Sequence, residues 1–231
     1  MINIAENEVV ELNIKTLLAD SGLYAIPVYQ RNYAWGEAQI KQLIRDVIDS
    51  VPKNTKAKKY YIGTLIVDKT TENNKEILET IDGQQRLTTL NIIATAIKNN
   101  PDYQHIDMSW LTQLNLNFTN RKQSTVALNV IFNNVVTTHS NYNTSITEAY
   151  TLVHKILKDE LEENSITIED FSNYLFNYVT ILRVSVPPET DLNHYFEIMN
   201  SRGEQLEKHE VLKATLLEAF INIDDEFEKE Q

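Results

Sequence analysis

The chain has no cysteine among its 231 residues. That excludes a disulfide framework, cysteine-ligated zinc and a thiol nucleophile, and it favours an intracellular setting. No N-terminal run has the basic-then-apolar shape of a signal peptide, and no apolar stretch approaches the roughly 20 residues that cross a bilayer. A cytoplasmic protein with no membrane association is therefore expected. None of the five histidines, His105, His139, His154, His194 and His209, stands at metal-ligand spacing from another ligand. No carboxylate–lysine or histidine cluster of a nuclease is found either.

Positive charge is also scarce, with 21 Lys+Arg against 33 Asp+Glu and a net charge of −12. Lys and Arg drive most nucleic-acid affinity by neutralising phosphate, so a general attraction to DNA is excluded. The deficit is uneven. Residues 1–100 hold 12 basic and 12 acidic side chains, which leaves 9 and 21 for residues 101–231. DNA contact, if made, is local to the neutral first part. The one basic run there, Lys53, Lys56, Lys58 and Lys59, lies in a Pro/Asn/Thr loop and reads as solvated surface.

What is present is the composition of a globular protein, 42% hydrophobic and 23% charged, with enough apolar residues for a real core. Residues 11–20 read as a short helix stopped by Ser21-Gly22, and Tyr24–Ile26 run extended into Pro27. Over 37–51, Ile40, Leu43, Ile44, Val47, Ile48 and Val51 form one apolar helical face ended by Pro52. Lys59–Asp68 and Lys75–Ile81 read as a hairpin of strands joined by a polar Lys69–Asn74 connection. A helix follows Asp82, with Leu87, Leu90, Ile93, Ala94 and Ile97 on one side, closed by Asn99-Asn100-Pro101. Further helices are expected near 122–138, 146–161, 167–178 and 205–222, interrupted by a strand over Val179–Val186 that can return to the early sheet. The fold class is α+β. There is no internal repeat and no flexible linker.

Three segments combine residues with chemical use. Asp82-Gly83-Gln84-Gln85-Arg86 opens a helix, where unpaired N–H groups and the helix dipole favour an anion. Helix initiation alone accounts for much of it: Asp82 as N-cap, Gly83 as the turn and Gln85 completing a capping-box-like pair. That leaves Gln84 and Arg86, and an arginine fork suits phosphate oxygens. The segment is not a Walker loop, since it lacks the Lys-Ser/Thr pair. In Ile26–Trp35, Tyr29, Tyr33 and Trp35 alternate with Gln30, Arg31 and Asn32, a mix suited either to bases and phosphates or to a packed loop entry. Phe196–Leu206 carries Asn200-Ser201-Arg202-Gly203 at a helix-turn-helix junction, which explains Gly203 but not the pairing of Asn200 with Arg202.

Taken in order, IPVYQRNYAW, YYIGTLIV, ETIDGQQRLTTL and FEIMNSRGEQLEKHEVLKATLL resemble the N-terminal domain of GmrSD-type restriction endonucleases, phage-defence proteins that attack modified DNA. Four motifs at compatible spacing over about residues 11–220 make the resemblance specific. It implies a ParB/sulfiredoxin-like unit at 1–110 and a mainly helical region at 111–231 with one returning strand, packed as one continuous unit. It implies a nucleotide site at Asp82, Gly83, Gln84, Gln85, Arg86, Gln30 and Arg31, with Asp82, Gln84 and Arg86 in NTP hydrolysis. Asp82 would hold a divalent cation, magnesium, or the attacking water. Tyr29, Tyr33, Trp35, Asn200 and Arg202 would contact modified DNA or support the pocket. The implied partners are modified DNA and an HNH-type nuclease domain or subunit, the nuclease itself being expected outside this chain. Self-association into a homo-oligomer is a further expectation. The competing reading is a non-catalytic DNA-binding or protein-interaction module of the same fold.

Overall fold

The computed structural model describes residues 9–53, 56–72, 75–135 and 143–187. Asn13 marks the first change of direction. Its side chain accepts from Thr16 N at 2.7 Å, which starts a helix, α1 (Ile14–Ala19), and leaves the preceding Val9–Asn13 as a strand, β1. The helix expected over 11–20 is thus shorter, because its first residues pair in a sheet. β2 (Leu23–Ile26) follows and runs into Pro27.

Gln39 reaches back to Gly36 N at 3.1 Å and opens α2 (Glu37–Ser50), whose apolar stripe from Ile40 to Ile48 is buried. Each fully buried aliphatic side chain there contributes about 1.5–3 kcal/mol relative to exposure. β3 (Tyr60–Glu72) and β4 (Lys75–Asp82) form the expected hairpin. β3 runs on to Glu72, however, so the polar segment read as a connection is mostly exposed strand paired to β4.

α3 (Gln84–Asn99) departs most from expectation. It is buried on every side, including Thr88, Thr89, Asn91 and Thr95. Its polar side chains tolerate this by bonding one turn back: Thr88 Oγ1 to Gln84 O and Thr89 Oγ1 to Gln85 O, both at 2.8 Å, and Asn91 Nδ2 to Leu87 O at 3.0 Å. Short side chains that satisfy themselves on the helix backbone can enter a core without an outside partner.

A 3-10 turn at Pro101–Tyr103 leads to β5 (Leu116–Phe118), and then come α4 (Lys122–Phe132), α5 (Thr144–Asn164), α6 (Ile168–Asn177) and β6 (Val179–Ser185). The six strands order as β1-β6-β3-β4-β2-β5, with β6 parallel to β3 and antiparallel to β1. The architecture is α+β. The main core lies between this sheet and the helices, with α3 packed on α4 and α5, while Ile66, Ile81 and Val186 form a separate small cluster. Arg183 of β6 donates to Asp20 Oδ2 at 2.7 Å and to the buried Tyr24 hydroxyl at 2.9 Å, tying β6 to β2. The expected helix at 205–222 lies outside the described residues.

Candidate functional site

The site forms where β4 gives way to α3. Gly83 makes the turn at φ +88°, and a Cβ there would lie 2.9 Å from the Thr64 carbonyl oxygen. Glycine is required on both counts. Gly83, not Asp82, is the N-cap, and as a glycine it makes no side-chain cap bond. The capping-box expectation therefore fails: Asp82 still belongs to β4, opposite Ile66, and Gln85 is used elsewhere.

Gln85 is held by the loop between β2 and α2. Its Nε2 donates to Asn32 O at 3.0 Å and its Oε1 accepts from Ala34 N at 2.9 Å. Gln84 Nε2 donates to Arg31 O at 3.2 Å, and Gln30 Nε2 donates back to Ile81 O at 2.6 Å. Tyr33 is buried against Thr89, with 2.9 Å between hydroxyls, and burial pushes its pKa up to about 12. From outside, Arg121 donates to Asn32 Oδ1 and Pro27 O, both at 2.9 Å. The two sequence segments are thus sewn together, and the three glutamines do the sewing. Val28 and Tyr29 stand at the loop's exposed tip, Tyr29 donating to Glu79 at 2.9 Å; partial burial, and after it this bond, raise the Tyr29 pKa.

Arg86 faces a different neighbour. Its Nη1 donates to Thr64 O at 3.2 Å, and its guanidinium lies on Gly63, where a Cβ would stand 2.7 Å from Nη1. Gly63 has φ +124°, and the pairing of β3 with β6 shifts register between Tyr61 and Thr64. This bulge opens the place that Arg86 fills. Arg86 then lines a cleft of about 310 Å³, with Trp35 also on its wall and Leu43 and Ile62 among its apolar lining. Facing residues Gln39, Gln42 and Asp46 come from α2, and Tyr60 and Tyr61 from β3. Gln42 Nε2 donates to Asp46 Oδ1 at 2.6 Å. Tyr60 has its pKa raised, first by burial and then by Asp46, while Arg86 pulls it down.

The profile of the GmrSD restriction endonuclease N-terminal domain family matches residues 14–217, most of the chain. The chain belongs to the GmrSD N-terminal domain family. A search of curated proteins finds no match. Membership implies a role in a restriction system, with a nuclease as the partner activity. The matched span contains every residue named above as a GmrSD site candidate.

Within this GmrSD domain the structure brings Arg86 and Trp35 into one cleft and places Gln30, Gln84 and Gln85 behind it, buried. Asp82 is half-buried at the end of β4, and Arg31 is exposed. Asn200 and Arg202 lie outside the described residues. Sequence reasoning missed Asp46, Tyr60 and Tyr61. The available signal was the polar set Gln39, Gln42 and Asp46, which shares one helix face at spacings of three and four residues beside the apolar stripe. Among the described residues no group of three or more His, Asp or Glu could hold a metal, and no helix is long and apolar enough to cross a membrane. The lysine loop is exposed, with Lys59 paired to Glu11.

Two larger depressions, of about 550 and 640 Å³, both include Arg121. Neither contains a residue of the Asp82–Arg86 motif, and Arg121 is already spent on the loop at Asn32 and Pro27. The Arg86 cleft is the better candidate because it joins a cation, a helix start and aromatic walls.

Proposed function

We propose that this domain is the nucleotide-binding sensor of a modification-dependent restriction system, taking the phosphates of an NTP at Arg86 and the first turn of α3. The observation that carries the reading is Arg86 itself: a guanidinium on the first turn of a helix that starts at Gly83, seated on Gly63 and lining an aromatic-walled cleft. The N–H groups and dipole of a helix start, together with a fixed cation, favour phosphate oxygens. Gln30, Gln84 and Gln85 serve the site by holding the 27–35 loop against it. In the same reading Asp82 would hold either a magnesium ion or the attacking water, and such an ion needs few protein ligands because phosphates and waters supply the others. When bound, the ion would neutralise charge on the phosphates. Arg86 offsets the charge that develops in NTP hydrolysis. The exposed Tyr29 and Arg31 face modified DNA, an HNH-type nuclease cuts it, and the system works in the cytoplasm, with homo-oligomer formation part of the same proposal.

The test is nucleotide binding and phosphate release by wild type and Arg86→Ala, with and without modified DNA, and with magnesium present or chelated. Wild type is expected to bind and the variant to lose binding. Equal behaviour of the two proteins refutes the assigned site. One observation favours a second reading: both glutamines of the motif are bonded to the domain's own loop. A non-catalytic DNA-binding or protein-interaction module would use the motif in this way. Salt-sensitive DNA binding that ignores nucleotide would select it.

A further inference from the structure

The cleft beside Arg86 is polar in an ordered way. Among the residues lining it, Arg86 is the one cation and Asp46 the one carboxylate. A nucleotide entering it is oriented by charge. Its phosphates go toward Arg86 and away from Asp46, so the uncharged base falls to the α2 wall.

Asp46 is prepared for a donor. Gln42 Nε2 holds its Oδ1 at 2.6 Å, and Tyr60 lines the cleft beside it. An ionised carboxylate has about four lone-pair sites and donates nothing, so the bond from Gln42 leaves lone pairs for a ligand. Gln39, the neighbouring amide, already uses its Oε1 on Gly36 N. Trp35 and Tyr60 add aromatic surface packed against the main core, against which a base can lie. A cleft of about 310 Å³ suits a base and sugar, at the lower end of ligand-pocket sizes.

An acceptor that cannot donate discriminates among bases. Adenine and cytosine each present a bare ring nitrogen at the centre of the Watson–Crick edge, which meets the carboxylate lone pairs. Uracil has a single N–H between two carbonyl oxygens. Guanine alone offers two adjacent donors, N1–H and the 2-amino group. We propose that the α2 wall of the cleft selects guanine nucleotides, with Asp46 accepting from both donors and Gln42 holding Asp46 in position. The proposal rests on the nucleotide reading of the Arg86 site.

The experiment titrates the full chain calorimetrically with GTP, ATP, UTP, CTP, XTP and inorganic triphosphate, for wild type, Asp46→Asn and Arg86→Ala. Wild type binds GTP tighter than the other common nucleotides by about tenfold or more, the scale of hydrogen bonds to a charged group. Asp46→Asn loses about 10- to 100-fold for GTP and reverses the GTP-to-XTP preference, because an amide N–H can donate to the xanthine O2. Arg86→Ala weakens every nucleotide and inorganic triphosphate alike. If Asp46→Asn melts early, Gln42→Leu replaces it, and a several-fold fall in GTP preference is expected. Equal affinity for all bases, or a preference unchanged in these variants, overturns the base selection and leaves the phosphate site standing. No binding of any nucleotide or of triphosphate to wild type overturns both.

Discussion

Replacing Gln85 with leucine separates two roles that a glutamine on the first turn of α3 could have. Gln85 is 7% exposed and exchanges two hydrogen bonds with the 32–34 backbone, at 3.0 and 2.9 Å. Each such bond contributes about 0.5–1.5 kcal/mol net, and stranding a fully buried partner costs about 1–3 kcal/mol. Asn32 and Ala34 are exposed residues, so water can replace part of what Gln85 supplied. The lower end applies, and the two bonds together come to about 1–2 kcal/mol. For a domain of this size that lowers the thermal midpoint by roughly 3–6 °C. Urea denaturation reads the global loss. Amide exchange at Ala34 reads the local one, since its N–H is the donor to Gln85. Exchange there should quicken about tenfold for each 1.4 kcal/mol of local opening. A glutamine kept only to touch a ligand would leave the ligand-free protein unchanged in both assays. An unmoved urea midpoint with unmoved Ala34 exchange would refute the clamp.

Gly83→Ala places a Cβ 2.9 Å from Thr64 O at φ +88°, and should cost about 1–3 kcal/mol in urea denaturation. A variant within error of wild type would show that the strand-to-helix turn is not constrained as described. Glu160, 1% exposed on α5, is gripped by Arg45 at 2.6 Å and Lys41 at 2.8 Å, and the Arg45 hydrogen bond leads in holding its pKa below the ordinary 4.5. A lowered folded pKa means that the ionised form favours the fold. This stability is present above the ordinary value and is lost as pH falls through the folded one. Thermal midpoints measured between about pH 3 and 6 should fall more steeply for wild type than for Glu160→Gln. Parallel curves would remove Glu160 from the acid response.

Local pattern revealed much of this fold and tertiary context decided the remainder. α2 was readable because its stripe repeats through four turns, and β6 because VTILRVSV is β-branched and bounded by prolines. β1 was hidden in a helical reading because its strand state comes from pairing with β6, some 170 residues away. β5 is a three-residue strand made by its neighbour β2, and no propensity over so short a window could show it. At the site, Arg86 and Gly83 were visible as chemistry and as a turn. Gln84 and Gln85 were visible as residue types only, and their use depends on where the 27–35 loop returns. Asp46 stood behind an apolar stripe that drew the reading to the other face of α2. Only the bulge at Gly63 brings Arg86 to the same cleft.

The sewn loop has one more consequence, at its tip. Val28 is 63% exposed and Tyr29 46%, yet the backbone on either side is fixed by Gln30, Gln84, Gln85, Arg121 and the buried Tyr33. Ordering a free loop costs about 1–2 kcal/mol per residue of backbone entropy. Folding has already met that cost here, before any encounter. A macromolecule that lands on Val28 and Tyr29 keeps more of its contact energy as affinity, and strain at the tip runs straight into the first turn of α3.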